Sequence, residues 1–284
     1  MSALAARVRT GTTLAVVAAG LLWLDTLLEP GHLALVVVTG LALVSAWELD
    51  RMGNLGGRGL GWVLYPAASV MALLVAIDLF TGVDLGPLQG LFGLYACAAL
   101  FAWPWLPICA ALRIRRRRAR PVLAREAGPF ALWLLPPLYS LVLIDRDFGA
   151  QGLATLVVLA KIGDNAAYFV GRAIGTRRPF PNISPGKTVA GCVASLLAGI
   201  LTGAALLPFT LGERSLAGAA LGAGIGGLIN VAAQAGDLSE SWVKRKAGVK
   251  DASALLGPSG GVLDVIDSLL FAAPVALLAW SWVY

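Results

Sequence analysis

The chain has 284 residues and a net charge of +6; 58% of its residues are hydrophobic and 13% are charged, with a mean hydropathy of +0.80. Soluble domains carry about 25% charged residues, so this balance excludes an ordinary soluble enzyme and points to an all-α, polytopic membrane bundle. One histidine (His32) and three cysteines in apolar segments (Cys97, Cys109 and Cys192) leave no multi-histidine metal site, no zinc site and no disulfide framework.

Apolar runs mark nine candidate spans. The first, 12–28, follows Arg7 and Arg9 as a signal peptide would. Asp25 interrupts it and no small-x-small cleavage site follows, so it reads as a retained first helix. Spans 32–47, 60–80 and 88–111 come next. Between them, "ELDRMGNLGGRG" (48–59) reads as a glycine-rich loop, with Glu48 at a helix end in a structural rather than catalytic role. "RIRRRRAR" (113–120) reads as a topology anchor drawn to anionic headgroups, each basic residue being worth about 1 kcal/mol. With no aromatic residues interleaved, it offers no platform for nucleic acid.

The remaining spans are 128–144, 150–172, 188–211, 215–235 and 261–284. The division is therefore 1–127, N-terminal membrane helices, and 128–284, a C-terminal catalytic membrane domain. With the N-terminus inside, 19 of the 22 Lys and Arg residues fall in inner segments, as the positive-inside rule requires. The stretch "VKRKAGVKDAS" (243–253) is then a cytoplasmic loop.

Beyond residue 150, polar residues enter or flank the spans: Lys161, Asp164, Asn165, Gln234, Asp237, Asp264 and Asp267. An Asp or Lys at a helix centre costs about 2.5–3.5 kcal/mol, so such residues mark a site or a buried pair. In "KIGDNAAYFVGR" (161–172), Lys161 and Asp164 share a helix face and could neutralise one another; Asp164 and Tyr168 share one as well. "GAGIGG" (222–227) fits G-x-G-x-x-G but lies inside a span. Gly218, Gly222 and Gly226 recur every four residues, the spacing of close helix packing.

"PNISPGKT" (181–188) ends like a P-loop but lacks its first glycine and its βαβ setting. Ser184, Lys187 and Thr188 nevertheless precede a helix N-terminus, where an anion is favoured; the alternative is an N-cap with a snorkelling lysine. In "QAGDLSESWVKR" (234–245), Asp237 ends a span and a basic cluster follows. "GPSGG" (257–261) then turns into the last helix, where Asp264 and Asp267 share a face. Hard carboxylate oxygens suit Mg²⁺ and cations suit phosphate. Together they indicate a metal-bound polyphosphate at the membrane surface.

The stretch "GDLSESWVKRKAGVKDASALLGPSGGVLDVIDSLL" (236–270) resembles the signature of the phosphatidate cytidylyltransferases, or CDP-diacylglycerol synthases. "DNAAYFVGRAIG" (164–175) and "NISPGKTVAG" (182–191) resemble two further blocks in the expected order. The resemblance implies a multi-pass inner-membrane enzyme with its N-terminus and active site cytoplasmic. It implies that CTP and phosphatidic acid are joined into CDP-diacylglycerol with release of pyrophosphate. Mg²⁺ assists, a second cation is left open, and a homodimer is expected.

Carried over by residue, it implies Asp237, Asp264 and Asp267 as metal ligands, with Asp237, Asp264, Lys250 and Asp251 catalytic. Ser184, Lys187, Lys244, Arg245, Asp164, Tyr168 and Ser259 would bind substrate. Three positions depart from the pattern: Ser259 stands for a histidine, Val265 for an arginine and Ala190 for a glutamate. The competing readings are a CTP-dependent polyprenol or lipid kinase, a family member without activity, and a transporter.

Overall fold

The computed structural model describes residues 3–52, 60–81 and 124–283. The expected span at 88–111, the arginine run at 113–120, Cys97 and Cys109 lie outside the described residues. Among the described residues there are helices and turns and no strands, as an apolar chain of this composition requires in lipid, where every backbone polar group must be satisfied within its own segment.

In chain order the helices are α1 (Ala3–Asp25), α2 (His32–Arg51), α3 (Gly61–Thr81), α4 (Ala124–Ile174), α5 (Val189–Thr210), α6 (Leu216–Ala247), α7 (Val262–Ile266) and α8 (Leu269–Val283). Five segments of the described residues are long and apolar enough to cross a membrane: His32–Arg51, Pro129–Ile174, Val189–Thr210, Leu216–Ala247 and Val262–Val283.

Two expected elements change on folding. The spans at 128–144 and 150–172 are the two halves of the 51-residue α4, broken at Gly149, whose φ of 65° and ψ of −177° lie where only glycine is at ease. The chain reverses there. Before the break, Gly31 N donates to Asp145 Oδ2 at 2.6 Å and Thr39 Oγ1 lies 3.2 Å from the Tyr139 hydroxyl, so this half runs antiparallel to α2. After it, Gly152 lies against Trp280, whose ring a Cβ there would meet at 3.7 Å, while Lys161 reaches Ser268, so the second half runs antiparallel to α8.

The second change lengthens an element. The span expected at 215–235 continues as α6 to Ala247, so Lys244, Arg245 and Lys246 form a helical turn rather than a loop. Gly248, with φ 81°, closes it by donating to the carbonyls of Lys244 and Arg245.

α4 is the hub of the bundle. Its first half packs on α2 and α3, its second half on α5, and α8 lies against both α4 and α6. Trp133, Trp280, Tyr139 and Phe130 are fully buried in this core. α5 and α6 cross at glycines, as the four-residue repeat indicates: a Cβ on Gly222 would sit 2.6 Å from the Gly203 carbonyl oxygen, and one on Gly226 would sit 2.6 Å from the Gly203 Cα. The G-x-G-x-x-G match is therefore a packing face. Leu197, Leu201, Leu228 and Val231 point outward from the pair, as lipid-facing positions do.

This crossing yields a stability test. Gly222→Ala forces the two backbones apart and is expected to cost about 1–3 kcal/mol, as overpacking does. Gly224, whose Cβ would meet nothing within 4 Å, is the control: Gly224→Ala gains about 1 kcal/mol of helix propensity. Thermal unfolding of the two purified variants in detergent should move in opposite directions.

Candidate active site

The C-terminal ends of α2, α4 and α6, the start of α5 and the junction of α7 with α8 meet at one end of the bundle. The last span is broken at Asp267 and Ser268 into α7 and α8, and the reason is local. The Val265 carbonyl, which a continuous helix would pair with Leu269 N, accepts instead from Lys161 Nζ at 2.6 Å. Pro274, one turn further on, has no N–H for the Leu270 carbonyl.

Three carboxylates gather at this break. Oxygens of Asp237, Glu240 and Asp267 all lie within 4.8 Å of one another. Asp237 and Glu240 share one face of α6 at i and i+3, and Asp267 faces them from the helix break. Each has its own ammonium group. Lys187 Nζ is 2.7 Å from Asp237 Oδ2, Lys244 Nζ is 2.5 Å from Glu240 Oε2, and Lys161 Nζ is 3.8 Å from Asp267 Oδ1. Lys244 also holds Asp264 Oδ1 at 2.5 Å, and Asp264 Oδ2 accepts from Ala252 N and Gly261 N at 2.8 and 2.6 Å.

With Asp164 beside Lys187 in the adjoining cleft, five carboxylates (Asp164, Asp237, Glu240, Asp264, Asp267) face three ammonium groups (Lys161, Lys187, Lys244). The remaining negative charge and the all-oxygen donor set fit a hard divalent cation such as Mg²⁺. Glu240 supplies a further sign: it is fully buried, and Oε1 has no hydrogen-bond partner among the described residues. Buried polar atoms are rarely left so, and an ion is one reason for it.

Beside the carboxylates opens a cleft lined in part by Asp164, Tyr168, Lys187, Thr188, Ser195 and Gln234. Its floor is a buried polar network: Ser195 Oγ donates to Asn230 Oδ1 at 3.1 Å and Gln234 Nε2 to the same oxygen at 2.9 Å. Its rim is the 181–188 loop, where Thr188 caps α5 by accepting from Gly191 N at 3.1 Å. Arg178 and Arg245 staple this loop by donating to the carbonyls of Pro185 and Ile183.

Not every expected partner is found in place. Lys161 makes its direct contacts at the α7–α8 break, with Asp267, Ser268 and the Val265 carbonyl, and acts on Asp164 only at longer range. Asp264 does not join Asp237 and Asp267 in the carboxylate group, because Lys244 and two backbone N–H groups take up its oxygens. Lys244 is buried between carboxylates rather than turned outward to phosphate, and Arg245 is spent on loop carbonyls. Lys250 and Asp251 lie on an exposed turn with no hydrogen bond or ion pair among the described residues. Ser184 is half-buried in the loop, its carbonyl accepting from Lys187 N at 3.1 Å. Ser259 closes a 3₁₀ turn, Gly257–Ser259. Tyr168 is exposed and accepts a bond from Arg172 Nη1 at 3.0 Å.

Glu240 is the functional group that motif reading passes over. Its signal is the spacing Asp237, Glu240, Lys244, which puts all three on one helix face.

This geometry defines a helical membrane protein with an acidic, metal-fitting centre beside an anion-compatible loop. The family pattern described as the cytidylyltransferase family matches residues 5–283. The phosphatidate cytidylyltransferase of Brucella melitensis is 32% identical over 284 residues, covering 98% of this chain and 93% of the relative. That of Pseudomonas aeruginosa is 35% identical over 261 residues, covering 90% of each chain. That of Helicobacter pylori is 33% identical over 219 residues, covering 72% and 79%. The chain belongs to the cytidylyltransferase family.

Burial of Lys244 makes the site a stability element too. Lys244→Met leaves Glu240 and Asp264 buried without their cation and is expected to destabilise by about 3–5 kcal/mol, the cost of breaking a buried pair. Lys250→Met on the exposed turn should stay within about 0.5 kcal/mol of the parent. Chemical unfolding of both variants in detergent would measure the difference.

Proposed function

We propose that this chain is a phosphatidate cytidylyltransferase, joining CTP and phosphatidic acid into CDP-diacylglycerol and pyrophosphate at the membrane surface. The observation that carries the reading is the meeting of the Asp237, Glu240 and Asp267 carboxylates with the Lys187 loop at one end of an apolar bundle. A lipid phosphate and a water-soluble triphosphate can both reach that place. The relatives bearing this enzyme's name match the chain over most of its length.

The reaction is an in-line displacement. An oxygen of the phosphatidate phosphate forms a bond to the α-phosphorus of CTP, the bond from that phosphorus to the bridging oxygen breaks, and pyrophosphate leaves with the electron pair. The nucleophile is already an anion, so no side chain need remove a proton from it, and positioning with charge neutralisation supplies the rate. Ser259 in place of the family histidine is compatible with this.

Lys187 exchanges its Asp237 partner for a phosphate oxygen as the nucleotide arrives, and the stapled 181–188 loop keeps it in position. Lys161 stays paired with Asp267 and Lys244 with Glu240, which holds these carboxylates in place. Bound by Asp237, Glu240 and Asp267, Mg²⁺ would neutralise charge on the triphosphate and its leaving group. Asp264 acts from behind, by holding Lys244. Lys250, exposed and without an ion pair among the described residues, is the cation left to meet the departing pyrophosphate from the solvent side, while Arg245 keeps the 181–188 loop in place. The cleft between Tyr168 and Gln234 takes the nucleoside.

The same reading sets the topology. The reversal at Gly149 supports two crossings by α4; with α1, α3 and the span expected from the sequence at 88–111, which lies outside the described residues, the proposed total is nine. The clustering of Arg51, Arg172, Arg177, Arg178 and Lys187 at the site end supports an active site and N-terminus on the cytoplasmic side of the inner membrane. The proposed assembly is a homodimer.

Purified protein supplied with phosphatidic acid vesicles, Mg²⁺ and CTP should place a cytidine label in the lipid and release unlabelled pyrophosphate. Label reaching the lipid only from the γ-phosphate would make the chain a kinase instead. Asp237→Asn and Glu240→Gln should each lose several kcal/mol of transition-state stabilisation, about 10²–10³-fold in turnover.

A further inference from the structure

Glu48, on the last turn of α2, is fully buried and lies more than 200 residues from its partners in sequence. Its Oε1 accepts from Ser253 Oγ at 2.6 Å and from Val262 N at 2.8 Å; its Oε2 accepts from Leu263 N at 2.7 Å. Gly261 lies so close that a Cβ there would come within 2.7 Å of the Glu48 carboxyl carbon. Among the described residues no cation pairs with Glu48, so its charge is met by hydrogen-bond donors of this one segment.

Asp264 grips the same segment from the other side. Its Oδ2 takes Ala252 N and Gly261 N, leaving Oδ1 for Lys244. Two carboxylates thus bracket residues 252–263, and the second is tied through Lys244 to Glu240, a member of the carboxylate group. A buried carboxylate without donors is costly. Opening the segment would strip Glu48 of all three, so Glu48 holds it shut.

We infer that Glu48 is a positioning residue for the metal group. By locking residues 252–263 it fixes Asp264, which presents Lys244 to Glu240 and so sets the geometry in which Asp237, Glu240 and Asp267 take a divalent ion. The inference rests on the metal assignment proposed above. It extends the site to α2, in the N-terminal half of the chain. Groups that orient metal ligands from behind commonly change affinity or activity 10–100-fold when removed.

The test uses the full-length protein in detergent, titrated with Mg²⁺ alone while its thermal midpoint is followed. Glu48→Gln keeps the size of the side chain but removes the charge and turns an N–H group toward a backbone N–H. It should raise the half-saturating Mg²⁺ concentration about tenfold. At saturating Mg²⁺, turnover should fall by about the same factor while KM for CTP stays within about twofold, because Glu48 touches no substrate. Glu48→Asp, with the charge kept on a shorter stem, should recover part of both losses.

Gly222→Ala serves as the control for general damage, since it lowers the thermal midpoint without moving the Mg²⁺ dependence. If Glu48→Gln behaves as that control does, with an unshifted Mg²⁺ midpoint and normal turnover per folded molecule, the inference is overturned. Should Glu48→Gln fail to fold, Ser253→Ala removes one of the three donors, and a rise of about threefold is expected from one lost hydrogen bond; no rise overturns the inference equally. A parent protein whose midpoint ignores Mg²⁺ would remove the metal assignment and this inference together. A normal parent response that Glu48→Gln leaves unchanged would remove only this inference.

Discussion

Mutual repulsion among three carboxylates is the constraint around which this end of the bundle is organised. At 4.8 Å and an effective dielectric of 20, two like charges repel by about 3–4 kcal/mol. Asp237, Glu240 and Asp267 cannot be gathered so closely without cations to offset that repulsion. Each therefore has a lysine: Lys187, Lys244 and Lys161 in turn. The lysines come from three elements, the 181–188 loop, α6 and α4, so the electrostatic requirement also fixes how those elements meet. The break between α7 and α8 follows from the same demand, because Lys161 reaches its place by capturing the Val265 carbonyl.

The apolar packing serves that arrangement. α5 and α6 approach closely enough for glycine alone at their crossing, and the same closeness lets Ser195 of α5 bond Asn230 of α6 in a fully buried position. In lipid, where helices gain little from burying apolar side chains against one another, close backbone packing and interhelical hydrogen bonds carry association. The polar floor of the cleft is thus an extension of the helix–helix contact, and Gln234, one turn past Asn230, carries it to the carboxylates. Family membership adds what geometry does not: which nucleotide and which lipid would meet there.

Much of this was legible in the chain. Spans show as apolar runs because the bilayer demands them, and His32–Arg51, Gly61–Thr81 and Val189–Thr210 fall close to the runs at 32–47, 60–80 and 188–211. The polar residues at 161–165, 234–237 and 264–267 were visible as site material because they are costly where they stand. Pairing was not legible. Local spacing offers Lys161 to Asp164 at i+3, but a partner 106 residues away at the helix break took the direct contact, since Asp267 and the freed Val265 carbonyl have no other cation there among the described residues. Glu240 was hidden in "SESW" because a run of polar residues after an apolar span reads as a helix end. The helix instead continued and buried it, with Lys244 one turn on supplying the charge that burial required.

The placement of Lys244 also explains why the basic stretch that follows the last polar span is not uniform. An ammonium group enclosed by Glu240 and Asp264 cannot also be a free phosphate ligand; releasing it would expose two buried carboxylates at once. Arg245, one residue on, leaves the helix in a different direction and holds the loop that carries Lys187. Consecutive basic residues on a helix are about 100° apart, so the cluster divides into one cation that stabilises the acidic centre and one that fixes the rim of the cleft. Lys250, beyond the Gly248 cap and free of such ties, keeps the mobility of an exposed side chain. The cations of this site are graded by burial, from those that hold carboxylates in place to those left to meet a transient anion.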